Sequence, residues 1–158
     1  VELADADWQA VLEANFTAHV RVSRAAATLM REQGSGVIAF VASLFGREAG
    51  GPELAAYNST KSALISLAKI MSLELAADGI RVLSVAPGSI RFPGGSWDRR
   101  ALADPEGIAD FVRRNLPFGR FGTAEEVADV VAFLVSPRAN WVAGACVAVD
   151  GGQSRSLV

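Results

Sequence analysis

The order of apolar and polar positions divides the chain into alternating helical and extended segments. From Trp8 to Leu29, the residues Trp8, Leu12, Asn15, His19, Val22, Ala26 and Leu29 step by four and three. That spacing predicts one face of a long helix, ended by Gly34. GVIAFVAS at 36–43 is a short apolar run bounded by glycine and predicts a buried strand. The loop FGREAGGPEL leads to a second helix over about residues 55–77, which stops near Gly79. IRVLSVAPG at 80–88 predicts a second buried strand, and ACVAVDGG a third. Residues 91–118 are broken by Pro93, Gly94, Gly95, Pro105 and Pro117, which predicts a long loop carrying one short helix. Thr123 and Glu126 then have the spacing of a capping box, opening a helix that runs to about Ser136–Pro137.

Strands separated by helices of this length run parallel, because each crossover returns the chain to the same end of the sheet. The predicted class is α/β. Three strands are few for a sheet buried on both faces, so further strands are expected along one edge.

Within the second helix, Tyr57, Lys61, Leu64, Ala68, Met71 and Leu75 step by four and three. Tyr57 and Lys61 therefore share the core-facing stripe, where a lysine is costly without partners. Tyr57 is the only tyrosine and Lys61 one of two lysines. Asn15 also sits on an inward stripe, and a buried amide needs hydrogen-bond partners. Ser43 ends the first predicted strand and Pro87-Gly88 the second. Ligands of open parallel sheets bind just beyond the carboxyl ends of the strands. Each residue alone has a plainer reading, such as a snorkelling lysine beside a core tyrosine. Their convergence on one edge points to a site.

The residue types suggest a chemistry. A free tyrosine ionises near pH ~10, and a cation one helical turn away favours the phenolate. Tyr57 is thus a candidate general acid/base for interconverting a carbonyl and an alcohol. Ser43 is placed to orient the carbonyl oxygen, and Asn15 to hold a water linking Lys61 to solvent. No side chain supplies a hydride, so a cofactor must.

Composition narrows the partners. The 158 residues are 51% hydrophobic, enough for one domain with a real core. A net charge of −2 argues against charge-driven binding to nucleic acid or a membrane. Arg91, Arg99, Arg100, Arg113 and Arg114 crowd one region and read first as solvated surface, with an anionic ligand as the alternative. With Cys146 the only cysteine and His19 the only histidine, no intrachain disulfide and few metal constellations are available. No apolar run reaches the ~18 residues of a membrane span. The start, VELADADWQ, lacks the order of a signal peptide. A cytoplasmic setting is expected.

Taken in order, several segments resemble the C-terminal part of the short-chain dehydrogenase/reductase family, in its compact single-domain branch. They are Asn15 in the first helix, VIAFVAS with Ser43, YNSTK with its Y-x-x-x-K spacing, IRVLSVAPG, GRFGTAEEVADVVAFLVS and VAVDGG. The resemblance implies a Rossmann-like, doubly wound parallel sheet, present here as its last three strands. It also implies NAD or NADP as cofactor and a catalytic tetrad of Asn15, Ser43, Tyr57 and Lys61. In that tetrad Asn15 serves the water relay, Ser43 positions substrate, Tyr57 moves the proton, and Lys61 binds the cofactor ribose and tunes Tyr57. Pro87, Gly88 and the backbone of Ile90 would face the nicotinamide. The implied substrate is a small ketone or secondary alcohol, with 3-oxoacyl thioesters one candidate. The implied assembly is a homodimer or homotetramer through the two long helices, where Ser59, Ala63 and Ser66 allow close approach.

The Y-x-x-x-K spacing, with Leu64 beyond it, separates the chain from the divergent enoyl-reductase branch, which spaces that pair more widely. V-A-S-L-F around Ser43 lacks the glycine-flanked elbow of a serine hydrolase. Two departures matter. The glycine-rich turn that cradles the cofactor diphosphate is not found, so residues 1–158 are expected to be a single C-terminal portion lacking about ninety residues of the fold. The residue that reads NAD against NADP belongs to that portion. Where the family often has a cofactor-touching threonine, this chain has Phe92, so Ser89 or a backbone group would take that contact. Phe92–Phe118 would cover the substrate, with Trp97 and Phe111 as walls. The competing reading is a noncatalytic association module.

Overall fold

Strands β1 (Gly36–Val41), β2 (Ile80–Pro87) and β3 (Cys146–Val149) form one parallel sheet in the order β1-β2-β3. The computed structural model describes residues 2–157. β1 and β2 pair from Gly36 opposite Ile80 to Val41 opposite Val85. β2 and β3 pair from Ser84 opposite Cys146 to Pro87 opposite Val149. The central strand explains its own composition: Val82, Leu83, Val85 and Ala86 are completely buried, so an unbroken apolar run is needed.

The helices cover both faces. An N-terminal rod comprises α1 (Asp5–Leu12), a π turn at Glu13–Thr17 and α2 (Ala18–Gln33). It ends at Gly34, whose left-handed φ of 69° suits glycine. With α3 (Ala55–Glu74) this rod covers one face, where Ala27, Leu64, Ala68 and Met71 join Ile38, Phe40 and Val82. α6 (Ala124–Val135) covers the other, setting Val127, Val130, Val131 and Leu134 against Leu83 and Val85. Successive β2 side chains thus feed opposite cores. The chain is α/β with a parallel sheet of three strands, helices lying on both sides.

The capping box forms as expected: Glu126 N donates to Thr123 Oγ1 at 3.3 Å, and Thr123 N to a Glu126 carboxylate oxygen at 2.9 Å. Other expectations need correction. β1 ends at Val41, so Ser43 lies past the strand, and α3 ends at Glu74 before a 3-10 turn at Ala76–Asp78. Residues 91–118 hold two helices, α4 (Ser96–Ala103) and α5 (Pro105–Asn115), rather than one in a long loop.

The stripe predicted for the first helix also shifts. Val22 and Leu29 are 70% and 60% exposed, while Ser23 and Ala27 are buried and Met30 packs on the core. From Ser23 onward each core-facing position lies one residue beyond the predicted one, whereas His19 packs near Phe40 as predicted. A π turn carries one extra residue, which rotates everything downstream by about 100° relative to an unbroken α-helix.

Candidate active site

α3 begins at the carboxyl end of the sheet, because the crossover from β1 starts there. Helical side chains tilt toward the helix N-terminus, so Tyr57, in the first turn of α3, is aimed at that edge. Ser43 and Tyr57 line one cavity of about 260 Å³ together with Pro87 and Gly88 at the end of β2. Four of the predicted residues are thereby brought together. The stripe behind them holds as predicted, with Leu64 completely buried and Ala68, Met71 and Leu75 nearly so.

Ser43 Oγ accepts a hydrogen bond from Phe45 N at 3.1 Å, capping the short 3-10 turn Leu44–Gly46. Acceptance leaves the hydroxyl hydrogen available for a ligand oxygen. One turn beyond Tyr57, Lys61 Nζ donates to the carbonyl of Val41 at 3.1 Å and stands 5.8 Å from the Tyr57 ring centroid. Burial pushes the Lys61 pKa below its ordinary value.

Asn15 falls in the π turn, and its Nδ2 donates to Thr60 Oγ1 at 3.3 Å. The buried Thr60 hydroxyl in turn lies 2.9 Å from the carbonyls of Ala56 and Tyr57. Asn15 thus reaches α3 at the residue before Lys61, and its bond is to Thr60. Ile90 forms a parallel bridge with Gly122 and lines a separate cavity of about 330 Å³.

Two contributors were not assigned to the site from sequence, Gln153 because nothing singled it out and Arg100 because it stood among four similar arginines. Gln153 clips the end of β2: Ser89 N donates to its Oε1 at 2.8 Å, and its Nε2 donates to Ser89 Oγ at 3.0 Å. A Cβ on Gly88 would stand 2.7 Å from Asp150 Cβ and 2.8 Å from Gln153 Oε1, so only glycine fits there. Local sequence gives no signal for this clip, since it exists only because β3 delivers its following turn beside β2. The second contributor is Arg100, on the cavity wall with Trp97. Trp97 stacks on Phe111 at 4.6 Å and lies 5.1 Å from Phe121, so α4 and α5 close the site's outer side through an aromatic cluster. An adjoining cavity of about 730 Å³ shares Trp97, Arg100 and Gln153 and adds Phe111.

A larger hollow of about 970 Å³ lies outside α4 and α5. Its charged walls are self-paired, as in Arg91 to Asp98 at 3.0 Å and Arg120 to Glu126 at 2.6 Å. Among the described residues, no cluster of three or more metal-binding side chains occurs, and no helix is long and apolar enough to cross a membrane.

Residues 1–154 match the family described as Enoyl-(Acyl carrier protein) reductase. The 3-oxoacyl-acyl-carrier-protein reductase FabG of Thermotoga maritima is 34% identical over 152 residues, which cover 96% of this chain and 59% of that protein. The chain therefore spans less than two thirds of this relative's length. A 4-hydroxyisoleucine dehydrogenase complexed with NADH superimposes with a TM-score of 0.85 at 29% identity, over 98% of this chain and 63% of that one. A gluconate 5-dehydrogenase from Burkholderia cenocepacia, in complex with NADP and tartrate, gives 0.88 at 30% identity, over 99% of this chain and 59% of that one.

Proposed function

Because the chain belongs to the short-chain dehydrogenase/reductase family, we propose that it is the catalytic portion of an NAD(P)-dependent oxidoreductase interconverting a ketone and a secondary alcohol. The observation that carries this reading is the single cavity in which Ser43 and Tyr57 meet Pro87 and Gly88, with Lys61 beside the tyrosine ring. Pro87, Gly88 and the backbone of Ile90 would border the nicotinamide, and Lys61 the ribose. Gly88, packed too closely against Asp150 and Gln153 for any Cβ, is held in place at the edge of this cavity. When bound, the cofactor supplies the hydride that reaches the carbonyl carbon.

The side chains do the rest. Tyr57 Oη gives a proton to the carbonyl oxygen in reduction and takes one from the alcohol in oxidation. The free Ser43 hydrogen donates to that same oxygen and fixes its direction. Lys61, held by the Val41 carbonyl, keeps a positive charge beside the phenol while proton transfer occurs. Asn15 holds the turn of α3 through Thr60 and supports the water path to Lys61.

The four-residue spacing of Tyr57 and Lys61 favours ketone over enoyl reduction, despite the description of the matching family. A 3-oxoacyl thioester is one substrate within this class. The exposed Val22, Leu29, Ile70 and Leu73 on the two long helical rods support a homodimer or homotetramer formed there. Cys146 is unpaired, which fits a cytoplasmic setting.

The test is turnover by the full-length protein of matched 3-oxoacyl and 2-enoyl thioesters, with NADH and with NADPH. The reading expects ketone reduction and a fall of about 10²–10⁴-fold in kcat for Tyr57→Phe, the usual worth of a general acid/base. Enoyl reduction alone, or an undiminished Tyr57→Phe, would overturn it.

A further inference from the structure

The segment from Arg91 to Arg120 is rich in arginine, and nearly every guanidinium there is already engaged. Arg91 pairs with Asp98, Arg113 and Arg114 with Asp110, and Arg120 with Glu126. Arg99 donates to the carbonyl of Gly94. Arg100 differs. Among the described residues it has no carboxylate partner, and its guanidinium carbon stands 5.1 Å from the Trp97 ring centroid.

Position gives this exception its meaning. Arg100 lines the cavity that holds Ser43 and Tyr57, and every other side chain on that wall is neutral. The adjoining 730 Å³ cavity is lined by both signs of charge, Glu48 and Glu53 as well as Arg100 and Arg155, and Glu48 is taken up by Ser154 Oγ and Arg155 N. The cationic part of the site is therefore the smaller chamber beside Tyr57. A guanidinium resting on an aromatic face is pre-oriented, so little freedom is lost when it grips a planar anion.

We propose that Arg100 is a specificity-determining residue that binds a carboxylate of the substrate, so that the substrates are oxo acids and their hydroxy acids. This rests on the oxidoreductase reading of the same cavity. Arg100 takes the acid group at one end while Ser43 and Tyr57 take the carbonyl oxygen at the other. The guanidinium fork offers two parallel N–H donors to the two carboxylate oxygens.

The experiment compares 4-oxopentanoate with its methyl ester as substrates of the full-length protein, each with NADH and NADPH. Wild type is expected to favour the acid, and Arg100→Met to lower the acid-to-ester ratio of kcat/KM by about 10- to 100-fold, the usual worth of a charge-assisted bond. The loss should fall on KM for the acid, and Arg100→Lys should recover part of it. Equal use of acid and ester by wild type, or an unchanged ratio in Arg100→Met, overturns the proposal while the oxidoreductase reading stands. If neither probe is turned over, the failure counts against that reading, and calorimetric titration with 4-oxopentanoate decides the proposal instead. Binding that Arg100→Met abolishes supports it, whereas absent binding, or equal binding by both proteins, overturns it.

Discussion

The two long helical rods on one face of the sheet obey the same four-and-three spacing, yet they treat it differently. In α3 the pitch is constant over Ala55–Glu74, and the stripe from Tyr57 to Leu75 is the stripe that packs. In the N-terminal rod the π turn at Glu13–Thr17 intervenes, and Val22 and Leu29 face solvent. A hydrophobic period reports a buried face only while the helix keeps one pitch. The π turn falls at Asn15, where the side chain is delivered to Thr60 on α3. Such turns recur at functional sites, where the added residue re-aims a side chain. The irregular rod carries Asn15, and the regular one carries Tyr57 and Lys61 one turn apart.

This contrast can be broken by substitution, beginning with the largest effect. Leu64→Ala, at a completely buried position of α3, should cost about 2–5 kcal/mol in urea unfolding of the full-length protein. Thr60→Val removes the acceptor that joins the rods and should cost about 1 kcal/mol. If the bond matters only for folding, kcat will be unchanged; the account expects kcat to fall as well, because Thr60 also contacts the Tyr57 carbonyl. Leu29→Ala makes the same chemical deletion as Leu64→Ala at a position that the spacing marks equally. Being 60% exposed, it should change the stability of the folded subunit by less than about 0.5 kcal/mol. A cost as large as that of Leu64→Ala would mean that the shifted face is wrong.

The smallest effect concerns helix ends. α3 starts without a side-chain cap, whereas α6 starts with a complete box. Hydrogen bonds from Arg120, then from the Thr123 backbone, lower the Glu126 pKa from 4.5 to about 2. A carboxyl depressed on folding stabilises above its unfolded pKa, and that share is lost as pH falls through the folded value. Acid unfolding should therefore show a contribution that fades between about pH 4.5 and 2 and is missing in Glu126→Gln. Because the pair is exposed, added salt should shrink the difference.

The same reasoning explains what could be read from the sequence and what could not. β2 was legible because a strand buried on both faces must be apolar throughout, and the α6 start because a capping box is local. The pair α4 and α5 was not. Pro105 reads as a breaker, but it occupies the first turn of α5, where no N–H is needed, while Asp104 accepts from Gly107 N at 2.9 Å. Within the site, Tyr57 and Lys61 were visible because their spacing is a property of one helix. Arg100 looked like its neighbours, since which arginines find carboxylates depends on how α4 and α5 fold back. Gln153 was invisible because parallel strand pairing brings it to Ser89 from 64 residues away.

The central claim is that at the cavity shared by Ser43, Tyr57, Pro87 and Gly88 a bound nicotinamide cofactor would supply a hydride to a carbonyl carbon while Tyr57 supplies the proton to its oxygen. The most direct measurement supplies reduced nicotinamide cofactor carrying deuterium at both C4 positions to the full-length protein, with 4-oxopentanoate and 3-oxoacyl thioesters as acceptors. Mass spectrometry of the alcohol then reads the transfer. The account predicts deuterium at the carbinol carbon with wild type, and a rate at least about 10²-fold lower with Tyr57→Phe. An alcohol without deuterium, or Tyr57→Phe matching the wild-type rate, would contradict it.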